Sequence, residues 1–117
     1  MPLTQIARER WKDFFDRASK AAAEQPTTVE VTGLALGDRI AADRAALRGV
    51  SYEPREDTLT LFLEGLEHRI HRAKAIHVEE VDGELRSFEV VDADDNHHIV
   101  QLARPLAMRA DRAARAE

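Results

Sequence analysis

The spacing of apolar residues changes at Pro26, and that change limits the folds open to this chain. Over residues 8–23, Trp11, Phe14, Phe15, Ala18, Ala21 and Ala22 recur at steps of three and four, which gathers them on one face of a helix. Arg8, Arg10, Lys12, Asp13, Asp16, Arg17 and Lys20 take the other face, so one side alone is built for burial. Pro26 stops the run, because proline disfavours helical geometry in the residue before it.

Beyond Pro26 the period is two. Val29 and Val31 fall on one side of residues 28–32, with Glu30 and Thr32 on the other; Leu59, Leu61 and Leu63 do the same in residues 58–63. Residues 75–81, 85–92 and 97–102 read as further strands. Turn chemistry closes each run at Gly33, Gly37-Asp38, residues 54–57, Glu64-Gly65, Asp82-Gly83 and Asp94-Asp95-Asn96. Two segments fit two readings. Alanine content favours helix over residues 39–48, while Ile40, Ala42 and Leu47 fit a broken strand nearly as well. Residues 66–73 can form a helical turn, but Gly65 is a natural turn between strands, so a strand is preferred. The expected fold class is α+β: an N-terminal amphipathic helix packed on a curved, mainly antiparallel sheet of about five to seven strands, with closure into a small barrel as the alternative. The domain is expected to span residues 1–106, and residues 107–117, where only alanines separate the charges after Met108, to form a frayed tail.

Composition removes whole classes of function. A chain of 117 residues, 44% hydrophobic and 33% charged, has room for one compact domain. It has no cysteine, which excludes disulfides, thiolate catalysis and cysteine-based zinc sites. Its net charge of −5 opposes phosphate neutralisation, and the small basic group Arg69, Arg72 and Lys74 lacks a stacking aromatic residue, so no nucleic-acid partner is expected. No window approaches the roughly 18 apolar residues that span a bilayer, and the first residues lack the pattern of a secretory signal. A cytoplasmic location without membrane contact is the expectation.

The polar residues give little chemistry. His97 and His98 are adjacent on a strand and point to opposite faces; His68 and His71 are likewise divided if they lie on a strand. His68, between Leu66 and Ile70, is expected to be partly buried and hydrogen-bonded, and the other histidines exposed. The run Asp92-Ala93-Asp94-Asp95-Asn96 begins like a calcium loop, but His97 stands where that loop needs glycine and Ala103 where it needs glutamate, which leaves a hairpin turn. No metal and no cofactor are expected. Ser19, Ser51 and Ser87 lie outside any nucleophile pattern, and the five glycines make no phosphate loop, so no catalytic residue is assigned.

Gly49-Val50-Ser51-Tyr52-Glu53-Pro54, followed by Asp57, Leu59 and Leu66-Glu67-His68-Arg69-Ile70, resembles an uncharacterised family of small bacterial and archaeal proteins, domain of unknown function family 5335. Trp11 with Phe14-Phe15, Val29-Glu30-Val31, Glu89-Val90-Val91-Asp92, Ile99 and Pro105-Leu106 extend the resemblance over nearly the whole chain. The resemblance implies a free-standing single domain and no assigned activity.

Within these motifs, Gly49 suits a turn or a close approach, and Tyr52 suits the edge of the core with its hydroxyl bonded. Ser51, Tyr52 and His68 form the one candidate polar cluster for ligand binding, with His68 bonding Tyr52 or Ser51. The expected function is a noncatalytic binding or accessory module acting through a protein partner or as a homodimer. A small-ligand-binding barrel, or an enzyme using His68, are the alternatives. Phe62 and Phe88 are expected opposite the core, where a second chain would cover them.

Overall fold

A computed structural model describes residues 3–108. Strand β1 (Thr4–Gln5) and a 3-10 turn at Arg8–Arg10 precede helix α1 (Trp11–Ala21). Seven strands follow: β2 (Pro26–Gly33), β3 (Gly37–Glu53), β4 (Thr58–Leu63), β5 (Leu66–His71), β6 (Ala73–Val81), β7 (Glu84–Asp92) and β8 (His97–Ala107). They form one antiparallel sheet in the order β1-β6-β7-β8-β2-β3-β4-β5. The terminal strands β1 and β5 do not pair with each other, so the sheet is curved but not closed into a barrel. Among the described residues the domain is largely sheet, with eight strands rather than five to seven and one short helix; a two-residue strand such as β1 has no period to read.

The apolar stripe on α1 is buried as its spacing predicts, with Trp11 and Phe14 at 2% exposure and Phe15 and Ala18 at 0%. The helix ends at Ala21, and the chain reverses through Ala23 and Glu24, both at φ 54°, before Pro26 opens β2. Gln25 lies buried at this corner. Its backbone carbonyl accepts the amide of Leu47 at 2.9 Å and its side-chain oxygen that of Arg104 at 2.7 Å, which ties β3 and β8 to the helix exit.

The alanine-rich segment is strand. β3 pairs with β2 up to Ala46 and with β4 from Leu47 onward, and it bends between the two where the ladders slip and Arg44 adopts φ 55°. Helix propensity loses here to pairing with β2 and then with β4, and the small side chains of Ala41, Ala42 and Ala45 fit against the core. Farther on, Gly49 allows α1 to approach: a Cβ there would stand 2.9 Å from Ser19 Oγ, which accepts the Val50 amide at 3.1 Å.

Residues 66–71 are also strand. The bend in β3 carries β4 and β5 back toward β8, close enough for His68 on β5 to bond His98 on β8. Phe88 corrects the expectation for the sheet's outer face: it is 2% exposed and meets Phe15 at 5.2 Å between ring centres, because it shares the inner side of β7 with Val90. Phe62 does lie on the outer side, at 36% exposure. Strand β8 continues through Pro105, which sits where the β7 ladder slips between the Gln101 and Leu106 pairs and therefore interrupts no bond. Ala107 ends the strand, exposed but paired with Glu84, and Met108 is buried, its amide donating to Gly83 at 2.9 Å; residues 109–117 of the expected tail lie outside the described residues.

Candidate functional site

Ser51, Tyr52 and His68 do not form a cluster. Ser51 and Tyr52 are consecutive on β3 and face opposite sides of the sheet. Tyr52 points inward, 5% exposed, with Trp11 edge-on to its ring at 5.3 Å. Its hydroxyl donates to Asp57 Oδ1 at 2.7 Å in the turn after β3, not to the expected His68. Arg8 completes this group. One guanidinium nitrogen lies 3.3 Å from the Tyr52 oxygen and 3.2 Å from Asp57 Oδ1, and the other donates to the Ala73 carbonyl at 2.8 Å. The guanidinium carbon stands 4.3 Å over the Trp11 ring.

These side chains line an open cleft of about 340 Å³ with Glu9, Lys12 and Pro54. Burial and the bond to Asp57 raise the Tyr52 pKa, outweighing Arg8, so the hydroxyl stays protonated at neutral pH. A protonated phenol held by a carboxylate, with a guanidinium on both, is a fastening for the turn between β3 and β4. Asp57 itself stands at φ 50°, donates its amide to Pro54 and accepts the Arg72 amide through its carbonyl. Ser51 faces the other way, into a shallow groove of about 410 Å³ with Glu53, Thr60 and Arg69 among its lining residues.

His68 instead belongs to a chain of three groups. Its Nε2 lies 3.0 Å from His98 Nδ1, and His98 Nε2 lies 2.9 Å from Asp92 Oδ2. His98 is 7% exposed, which corrects the expectation that histidines other than His68 are exposed. The signal was present in the sequence: alternation along residues 97–102 puts His98 on the same side as Val100, which is fully buried. Asp92 Oδ1 accepts the amides of Asp94 at 2.9 Å and Asn96 at 3.0 Å, so the segment that begins like a calcium loop is a hairpin turn closed by its first residue. Burial works against the Asp92 charge, but the His98 bond and these two amides outweigh it and hold the carboxyl below the usual carboxylate range. An ionised Asp92 accepts a hydrogen bond from His98 Nε2–H, which leaves His98 Nδ1 to accept from His68 Nε2–H. Burial, and then the neighbouring His98, push the His68 pKa down to about 4.

An acid, a histidine and a second histidine in series are a proton relay in form, but Ser51, the serine expected beside His68, lies on the opposite face of the sheet. The remaining histidines are separate: His97 bonds Glu89 at 2.6 Å on the outer side, His71 bonds Thr58 at 3.0 Å, and His77 Nδ1 is buried without a partner among the described residues. Among the described residues, no group of three or more His, Asp and Glu side chains is placed to hold a metal ion. Elemental analysis of protein purified without chelator or affinity tag is expected to find no stoichiometric zinc, nickel or iron; one equivalent per chain would show that the histidines regroup around a metal.

The architecture and its polar bonds define a small, sheet-rich domain in which the conspicuous polar side chains fasten strands and turns. The chain belongs to the family of unknown function DUF5335, which it matches over residues 3–111. It is 33% identical over 103 residues to an uncharacterized protein of Aquifex aeolicus (strain VF5), covering 87% of this chain and 93% of that one. No solved structure matches the chain. No helix among the described residues is long and apolar enough to cross a membrane.

Proposed function

We propose that this chain is a noncatalytic binding module that works through association with protein, and that the outer end of the β2–β3 hairpin is a contact surface. The observation that carries this reading is the set of large apolar side chains there: Leu34 is fully exposed, Leu36 is 37% exposed and Ile40 59%. Isolated exposed apolar residues are ordinary, but Leu34 and Leu36 stand together in the turn, with Ile40 on the strand that leaves it, and their burial would favour association. Leu34 and Leu36 also line a recess of about 360 Å³ with Asp94, Asp95 and Asn96, so the patch has an acidic rim. Catalysis is disfavoured because the Asp92–His98–His68 chain, with His98 buried and its two ends partly so, meets no serine or threonine among the described residues. The small-ligand barrel loses its basis, since the sheet is open and its concave side is filled by Trp11, Phe15 and Phe88.

Site-specific photocrosslinking of the full chain in cells tests the reading. A crosslinker in place of Leu34 is expected to give an adduct of one discrete mass, which weakens when Ile40→Ser is added. A crosslinker in place of exposed Lys12 on α1 serves as control. Equal adducts at both positions, or none at Leu34, would remove the hairpin as a contact surface.

A further inference from the structure

We propose that the chain forms a twofold homodimer by antiparallel pairing of β5 with β5 of a second copy, in the register that sets Glu67 opposite the partner's Arg69. The proposal rests on the reading of this chain as an association module, but it uses a different surface from the hairpin end.

β5 ends the sheet order and, among the described residues, pairs with β4 alone. The turn before it is two residues long, Glu64 and Gly65, with Gly65 at φ 80°, and the ladder starts at Leu63 opposite Leu66. A two-residue hairpin makes that first pair a hydrogen-bonded one, and hydrogen-bonded and non-bonded pairs then alternate. Leu66, His68 and Ile70 therefore spend their backbone groups on β4, while Glu67, Arg69 and His71 present theirs at the open edge. A second strand can bond only to these.

Charge selects among the registers centred on Glu67, His68 and Arg69, the middle of the strand. Centred on Glu67 or on Arg69, a twofold pairing sets a like charge against itself. Centred on His68, it sets Glu67 against the partner's Arg69 and Arg69 against the partner's Glu67, with both contacts at hydrogen-bonded positions. Both side chains are on the outer side and half exposed, and within one chain they already meet at 2.8 Å. On the inner side the same register brings Leu66, 38% exposed, opposite the partner's Ile70. His68 then lies next to the axis, where its low pKa keeps two facing imidazoles uncharged at neutral pH. The other end of the sheet is a poorer edge: β1 and the Ile6 amide occupy part of β6, and the rest carries Glu79 and Glu80, which would repel in self-pairing.

Light scattering coupled to gel filtration of the full chain reads the result. The expected mass across the micromolar range is twice the 13.2 kDa of one chain. Glu67→Arg and Arg69→Glu, each alone, place like charges opposite each other twice per dimer and are expected to raise the dissociation constant about tenfold or more. The double reversal Glu67→Arg with Arg69→Glu restores complementarity and is expected to restore the dimer, which separates edge pairing from general loss of fold. A mass of one chain throughout the micromolar range, or a dimer unaffected by both single reversals, overturns the proposal. Either outcome leaves the crosslinking result at Leu34 standing, and a failed crosslink leaves this one standing.

Discussion

Phe15→Ala lowers the free energy of unfolding by about 3–5 kcal/mol, the range for truncating a buried phenylalanine. Phe15 is the best placed residue for so large an effect. It is fully buried, it sits edge-on to Phe14 at 5.2 Å, and it is the aromatic link from α1 to Phe88 on β7, also at 5.2 Å. Removing the ring leaves a void bounded by helix on one side and sheet on the other, and neither can collapse into it without breaking its own hydrogen bonds. Chemical denaturation measures the loss. Phe62→Ala, at a residue 36% exposed on the outer side, provides the contrast and costs well under half as much. A loss below about 1 kcal/mol for Phe15→Ala would show that the helix contributes little to the core.

Acid destabilises the domain between pH 6.5 and pH 4. The folded-state pKa of His68 is about 4 against 6.5 for an ordinary histidine, so the unfolded chain takes up a proton in this interval before the folded chain does. The folded state therefore has its full stability above pH 6.5, loses it progressively toward pH 4, and loses no more from this group below that. With allowance for screening at a half-buried ring, the loss is on the order of 2 kcal/mol. Asp92 acts in the same direction at lower pH: its pKa is depressed in the fold, so its contribution is present above the ordinary carboxylate range and disappears as acid protonates it. Denaturation midpoints measured from pH 7 downward give the profile, and His68→Gln, which keeps a hydrogen-bonding side chain but does not titrate, flattens the upper part of it. A profile that is already flat in the parent protein would show that burial does not hold His68 against protonation.

What was legible in the sequence was whatever a local period can encode. Trp11, Phe14 and Phe15 at helical spacing, and Leu59, Leu61 and Leu63 at strand spacing, are all buried as read. Residues 58–63 coincide with β4, and the turn at residues 54–57 is where its proline and aspartate put it. The failures are long-range. Nothing near Ala41, Ala42 and Ala45 says that β2 will pair on one side of the chain, and local propensity is silent where a neighbour decides. The polar cluster failed for the same reason. Tyr52 and His68 were associated because they share a motif, yet Tyr52 finds Asp57 and Arg8 while His68 finds His98, thirty residues on, because the bend in β3 brings β5 over β8. Asp92 was read as a turn former, which it is, but one of its oxygens was still free to hold His98.

The position of β8 bears on how the chain is made. Residues 97–107 occupy the place between β7 and β2, so the strand translated last among those described is central rather than peripheral. Until it leaves the ribosome, the growing polypeptide holds two incomplete halves, β1-β6-β7 and β2-β3-β4-β5, each with a long unsatisfied margin. The halves join when Thr27 to Thr32 on one side and Glu84 to Val91 on the other both zip onto β8. Nascent chains stalled before residue 97 therefore have two raw edges available to chaperones or to aggregation, and a premature stop there removes the join of the sheet rather than trimming its rim.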